Sequence, residues 1–170
     1  YDAGWWLPNT AAGIPTSPVA TNQPSSRAFN NGQASVAFTP ATSGGKATSF
    51  TVTSTPGSYT NTGSSSPIVV TGLQSSTQYT YAVTATGPLG TSSASSASSA
   101  VTATTIPQAP TIGAVTSGSA VATVAYTEGA NGGSSVTTFT ATSSPGGLTG
   151  TGSSPITVSG LTNGTAYTFT

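Results

Sequence analysis

Apolar and polar positions alternate along most of this chain. Ala34, Val36 and Phe38 alternate with Ser35 and Ala37. Phe50 and Val52 alternate with Thr51 and Thr53, Ile68 and Val70 flank Val69, and Tyr79, Tyr81 and Val83 alternate with Thr80 and Ala82. A period of two puts one set of side chains on a buried face and the other in water, so each run predicts a half-buried β-strand. The same pattern returns in Val101 and Ala103, in Ala122, Val124 and Tyr126, in Phe139 and Ala141, in Ile156 and Val158, and in Tyr167 and Phe169. Turn formers separate the runs, among them Asn31-Gly32, Gly44-Gly45, Pro56-Gly57 and Asn163-Gly164. No window of about ten residues reads as an amphipathic helix, the length at which one would show. Thr, Val, Tyr and Phe dominate instead and suit a pleated surface. The low-complexity Ser/Ala run from Ser92 to Ala100 stands just before Val101, which predicts an edge strand with its loop rather than a linker. Long uncharged edges invite pairing with other chains, and Pro24, Pro40, Pro67 and Pro155 are the visible edge breakers.

The runs repeat. The segment GLQSSTQYTY from Gly72 returns 88 positions later as GLTNGTAYTF from Gly160. The same offset carries Pro67-Ile68 onto Pro155-Ile156, Phe38 onto Tyr126 and Gly44-Gly45 onto Gly132-Gly133. One more residue carries Phe50 onto Phe139 and Pro56-Gly57 onto Pro145-Gly146, as a loop insertion between fixed strands would. That period is too long for a solenoid unit and has the size of one small domain. Six or seven short strands per repeat predict a sandwich. The proline-bearing stretch TTIPQAPTIG makes a short, stiff connector, with the boundary expected at Thr105/Ile106.

Composition narrows the functions available. Only 2% of the 170 residues are charged, and the four are Asp2, Arg27, Lys46 and Glu128. Two cations cannot supply the several phosphate contacts that nucleic acid demands, nor hold an acidic lipid surface, so neither nucleic acid nor membrane is an expected partner. Net charge is zero, so solubility must rest on hydroxyl, amide and backbone groups, and association into an assembly is a natural state. The absence of cysteine removes disulfides, thiolate chemistry and Cys-ligated metals. No stretch reaches the roughly 18–20 apolar residues of a spanning helix. The chain does not begin with Met, which leaves either a processed N-terminus or a piece of something longer as the expectation.

Catalysis needs groups that move protons or attack electrophiles. There is no histidine and no cysteine, and Asp2 and Glu128 fall in different repeats, too far apart for a paired-carboxylate site. No catalytic residue, cofactor or metal is therefore expected. Gly150-Thr151-Gly152 faintly suggests a phosphate loop, but a strand follows where a helix is needed, so it reads as a turn. Asn163-Gly164-Thr165 is a formal glycosylation sequon and equally an Asn-Gly turn, the reading preferred here. The segment YDAGWWLPN is the one part the repeat leaves unexplained. Its Tyr1, Trp5, Trp6 and Leu7 make a dense apolar arm, the expected partner-docking feature. The arm could dock on a neighbouring subunit, stack on sugar rings, or be the tail of a preceding domain.

GLQSSTQYTYAVTATGPLGTSSAS resembles the strand E to strand G region of fibronectin type III domains, with Leu73, Thr77, Tyr79 and Val83 repeated by Leu161, Thr165 and Tyr167. SGSAVATVAYTEGANGGSSVTTFTATSSPGG is similar to strands B and C of the Ser/Thr/Gly-rich bacterial and phage version of the family. The resemblance covers roughly residues 17 to 170. It implies an all-β fold of two consecutive fibronectin type III, immunoglobulin-like sandwiches: an N-terminal arm over 1–16, module 1 over 17–105 and module 2 over 106–170. Tyr79 and Tyr167 would be the tyrosine-corner residues, each hydroxyl bonding back to nearby backbone. Two departures stand out. Phe38 and Tyr126 occupy the place of the usual strand B tryptophan, and module 2 stops about 23 residues before the point where module 1 ends, lacking its last strand. Either the chain continues beyond Thr170 or another subunit donates that strand.

For function, the resemblance implies a non-enzymatic structural part, extracellular or on a virion surface. A phage tail, fibre or capsid-surface decoration fits, as does a bacterial surface appendage, with protein subunits of the same assembly as partners and a homo-oligomer as the expected state. Spacer modules of a secreted polysaccharide-degrading enzyme and a glycan-binding adhesin remain open beside it.

Overall fold

The computed structural model of the chain describes residues 10–24 and 26–170. Every regular element among them is a β-strand, and the chain divides into two compact units, Tyr1–Ile106 and Pro107–Thr170. No helix among the described residues is long and apolar enough to cross a membrane.

The strands of unit 1 are β1 (Thr16–Asn22), β2 (Gly32–Thr39), β3 (Ser49–Thr55), β4 (Thr60–Gly63), β5 (Ile68–Leu73), β6 (Gln78–Gly87), β7 (Gly90–Thr91) and β8 (Val101–Thr102). They form two antiparallel sheets, one in the order β1-β2-β5 and one in the order β4-β3-β6-β7, with β8 also pairing β6. This is an immunoglobulin-like sandwich with the fibronectin type III strand order. Alternation builds its core directly. Ala34, Val36 and Phe38 from β2, Phe50 and Val52 from β3, Ile68, Val70 and Leu73 from β5, and Tyr79, Tyr81, Val83 and Ala85 from β6 are all buried in one cluster. Phe38 and Phe50 meet with ring centroids 4.9 Å apart, and Tyr59 stands edge-on to Tyr79 at 5.9 Å. Such pairs add to the burial of their area.

The segment before β1 belongs to this sandwich, so an arm reaching to residue 16 is too long. Ala12 is buried in the core cluster, Pro15 is fully buried, and Ala12 bridges Gly45 in parallel. Small residues make the contact possible. A Cβ on Gly13 would lie 2.1 Å from the Ser43 carbonyl oxygen, and one on Gly45 would lie 2.1 Å from that of Thr10. At the other end the Ile106 N–H donates to the Arg27 carbonyl at 2.9 Å. Ile106 thus stays with unit 1, and the break falls one residue beyond Thr105/Ile106.

Unit 2 contains β9 (Thr111–Ser117), β10 (Val121–Thr127), β11 (Thr140–Ser144), β12 (Thr149–Thr151), β13 (Ile156–Ser159) and β14 (Thr168–Phe169). Its sheets run β9-β10-β13 and β12-β11-β14. The repeat holds in three dimensions: Tyr126 and Phe139 pair at 4.7 Å, and their counterparts Phe38 and Phe50 at 4.9 Å. The closure differs. Tyr79 and Tyr81 are buried in unit 1, whereas Tyr167 and Phe169 at the same positions are only partly buried.

Candidate functional site

Serine hydroxyls do in this chain much of what backbone groups do in an ordinary sheet. The Ser/Ala run holds the clearest case. The N–H groups of Ser92, Ser95 and Ser98 donate to the carbonyls of Ala85, Val83 and Tyr81 on β6, at 2.8, 2.9 and 2.9 Å. The N–H groups of those same three β6 residues donate back to the Oγ atoms of Ser92, Ser95 and Ser98, at 3.0, 3.0 and 3.1 Å. Each hydroxyl then donates to the carbonyl of the next residue, Ser93, Ser96 or Ser99. Three residues of the run therefore match two of β6. Two strand residues advance about 6.7 Å, so the run rises about 2.2 Å per residue and is far from extended. The run completes β6 as an edge, although it is not itself a regular strand.

The same chemistry closes other ends. The Ser54 Oγ accepts from the Tyr59 N–H and donates to the Pro56 carbonyl, and Ser143 repeats this with Leu148 and Pro145. Both serines are buried, at the turns joining β3 to β4 and β11 to β12. The Ser66 and Ser154 hydroxyls accept from the N–H groups of Phe38 and Tyr126 at 2.9 Å each. Burying a backbone donor without an acceptor is costly, so these hydroxyls are structural.

The two tyrosines singled out by the resemblance make matching bonds. The Gln74 N–H donates to the Tyr79 hydroxyl at 3.0 Å, and the Thr162 N–H donates to the Tyr167 hydroxyl at 3.1 Å. The bond from Thr162 holds the Tyr167 hydroxyl below the usual tyrosine range. Tyr81 is the odd one of the set. Its hydroxyl is buried with no hydrogen-bond partner, and burial first, then Tyr79, push its pKa up to about 12.

Val101 to Thr105 fill a slot in unit 1 between β1 and β6. The Ala103 N–H donates to the Thr77 carbonyl and the Ser76 N–H donates to the Ala103 carbonyl, both at 3.0 Å. Thr104 bonds both side-chain atoms of Asn22, and Thr105 shares a 2.6 Å bond with Ser75. In unit 2 the matching place is a groove of about 380 Å³, lined by Val115 and Ser117 of β9, Ala122 of β10, the turn from Leu161 to Thr165, and Tyr167 and Phe169. Asn163 lies on its rim, and its Oδ1 accepts from the Ala120 N–H at 2.8 Å.

Other sequence candidates separate. Tyr1, Trp5, Trp6 and Leu7 lie outside the described residues. Thr151 ends strand β12 and Gly152 follows it, so Gly150-Thr151-Gly152 forms no phosphate cradle. Asn163 and Gly164 form a turn with Gly164 at φ 79°. Of the two cations, Arg27 donates from Nε to the Asn31 carbonyl at 3.2 Å.

No family model matches the chain, and no curated protein does. Solved structures do. The FN1-FN3 domains of chicken CNTN1 align with 92% of this chain and 55% of theirs, at 13% identity and a TM-score of 0.41. A structure of titin kinase and its flanking domains aligns with 72% of this chain and 27% of its own, at 15% identity and a TM-score of 0.40. The chain thus spans about half the length of the first and about a quarter of the second. At such scores neither likeness carries weight, and the fold is read from strand order and register.

Proposed function

We propose that the chain is a non-enzymatic structural and interaction module of an extracellular assembly: a phage tail, fibre or capsid-surface component, or a bacterial surface appendage. The serine-closed edge of unit 1 is the observation that carries this reading. Side-chain hydroxyls that would face a ligand in a binding protein are committed to the module's own backbone at Ser92, Ser95 and Ser98. A chain built this way keeps its shape with almost no charge and presents neutral Thr and Ser faces, which suits a rigid spacer or decoration packed among like surfaces.

Electron microscopy of the native particle tests the reading. Density for both sandwiches at repeated, symmetry-related positions, with the Trp5/Trp6 segment against a neighbour, is the expected result. A stable isolated monomer that joins no particle or filament would sink it. Glycan binding abolished by Trp5→Ala with Trp6→Ala would move the assignment to an adhesin. A catalytic domain in the same full-length polypeptide would move it to an enzyme spacer.

A further inference from the structure

Asn61 sits where both sheets of unit 1 run out. Strand β4 is the last strand of one sheet and β5 the last strand of the other. An edge strand presents unpaired N–H and C=O groups on which another chain can build. The ladders show which groups those are. The Ser54 N–H donates to the Tyr59 carbonyl at 2.8 Å, so that pair is bonded, and the Val52–Asn61 pair two residues along is bonded with it. Thr51–Thr62 falls on the alternate step, so the Thr62 N–H points away from β3. In the other sheet the Gln33 carbonyl accepts from the Gln23 N–H, on the β1 side. Ser35, two residues on, faces β1 as well, so the Val69 carbonyl opposite it points away from β2.

One side chain takes both outward groups. The Thr62 N–H donates to Asn61 Oδ1 at 2.8 Å, and Asn61 Nδ2 donates to the Val69 carbonyl at 2.7 Å. A carboxylate could make only the first of these bonds and an aliphatic side chain neither. The β5 edge is short on either side of Val69. Pro67 has no N–H to offer, and Gly72 at φ 76° leaves the extended conformation. Unit 2 covers the same carbonyl without an amide. Gly150 pairs with Ala141 as Asn61 pairs with Val52, and Thr157 pairs with Thr123 as Val69 pairs with Ser35. A Cβ on Gly150 would lie 2.1 Å from the Thr157 carbonyl oxygen, so there the backbone itself closes over that group.

We propose that Asn61 is a clasp that seals the β4–β5 side of unit 1 against strand addition by a second copy of the chain. Its amide occupies one outward group on each sheet, so an incoming strand finds a continuous row on neither. Neither β4 nor β5 carries a charge that would repel a second copy, which leaves the amide to do it.

Hydrogen exchange and sedimentation of the 170-residue protein and three variants test the clasp. Asn61→Ala should speed exchange of the Thr62 amide at least about tenfold while the β2 and β6 amides keep their rates. It should also add a concentration-dependent dimer or larger species that the parent lacks at the same concentration. Asn61→Val removes the same two bonds with a strand-favouring residue and should behave alike, which guards against a loss of fold in the alanine variant. Asn61→Asp keeps the acceptor for Thr62 and puts a charge on the edge, so Thr62 should stay protected and no added species should form. The proposal is overturned if Thr62 exchange is unchanged in Asn61→Val, if that amide is freed with no added association, or if Asn61→Asp associates as strongly as Asn61→Val.

Discussion

Tyr79 and Tyr81 lie two residues apart on one face of β6, both about 1% exposed, yet their hydroxyls have opposite consequences. The Tyr79 hydroxyl accepts the Gln74 N–H, whereas the Tyr81 hydroxyl is buried with nothing to bond. Tyr79→Phe should therefore cost about 1 kcal/mol, the worth of one part-buried bond, and Tyr81→Phe should raise stability by about the same amount by removing an unsatisfied group. The protein already holds this second substitution as a control, because Phe169 stands at the matching place in unit 2. Urea unfolding followed by the amide signals of β2 and β6 checks both signs. The pH dependence follows from the raised pKa of Tyr81. The folded state keeps its proton up to about pH 12, while the unfolded chain releases it near pH 10. The folded state thus binds more protons over that window, and the contribution is complete below pH 10 and lost as pH climbs toward 12. Tyr81→Phe should flatten that decline, and an unchanged slope would count against the burial of the hydroxyl.

At the level of elements, the serine run is the part where a period of three replaces a period of two. Ser98→Ala should cost about 1–2 kcal/mol, because it strips the acceptor from the buried Tyr81 N–H, and Ser92→Ala or Ser95→Ala somewhat less. Ser93→Ala, Ser96→Ala and Ser99→Ala leave the β6 bonds intact and should stay within about 0.5 kcal/mol of the parent. A scan of urea midpoints reads this phase directly, and equal costs at all six positions would refute the ladder. The same ladder revises the view that uncharged edges here invite pairing. An incoming strand presents its groups every two residues and meets an edge that advances in threes, so regular pairing fails. The inward faces of β2, β3, β5 and β6 were legible because alternation is what burial on one face writes into a sequence. β1 and β9 were not, since β9 is exposed at every position and β1 buries only Pro18 in full. In the serine run the repeated Ser-Ser-Ala unit offers two candidate phases, and only the bonds to β6 choose between them. The groove lined by β9 and the Leu161–Thr165 turn was not legible, because β9 carries no alternation of burial.

Taken as a whole molecule, the chain carries one fold twice with unequal closure. Unit 1 buries fourteen residues in its cluster among those described, including two tyrosines and two phenylalanines. Unit 2 buries six, and its largest side chains, Tyr126, Phe139, Tyr167 and Phe169, are only partly covered. Each aromatic left partly exposed forgoes part of the roughly 25 cal/mol per Å² that full burial returns, and small domains have little stability in reserve. Heating the 170-residue chain should therefore give two transitions, unit 2 first, with amides of β10, β11 and β13 exchanging faster than those of β2, β3 and β6. Scanning calorimetry with hydrogen exchange resolves the order. A single cooperative transition would mean that the two sandwiches do not hold their stability separately.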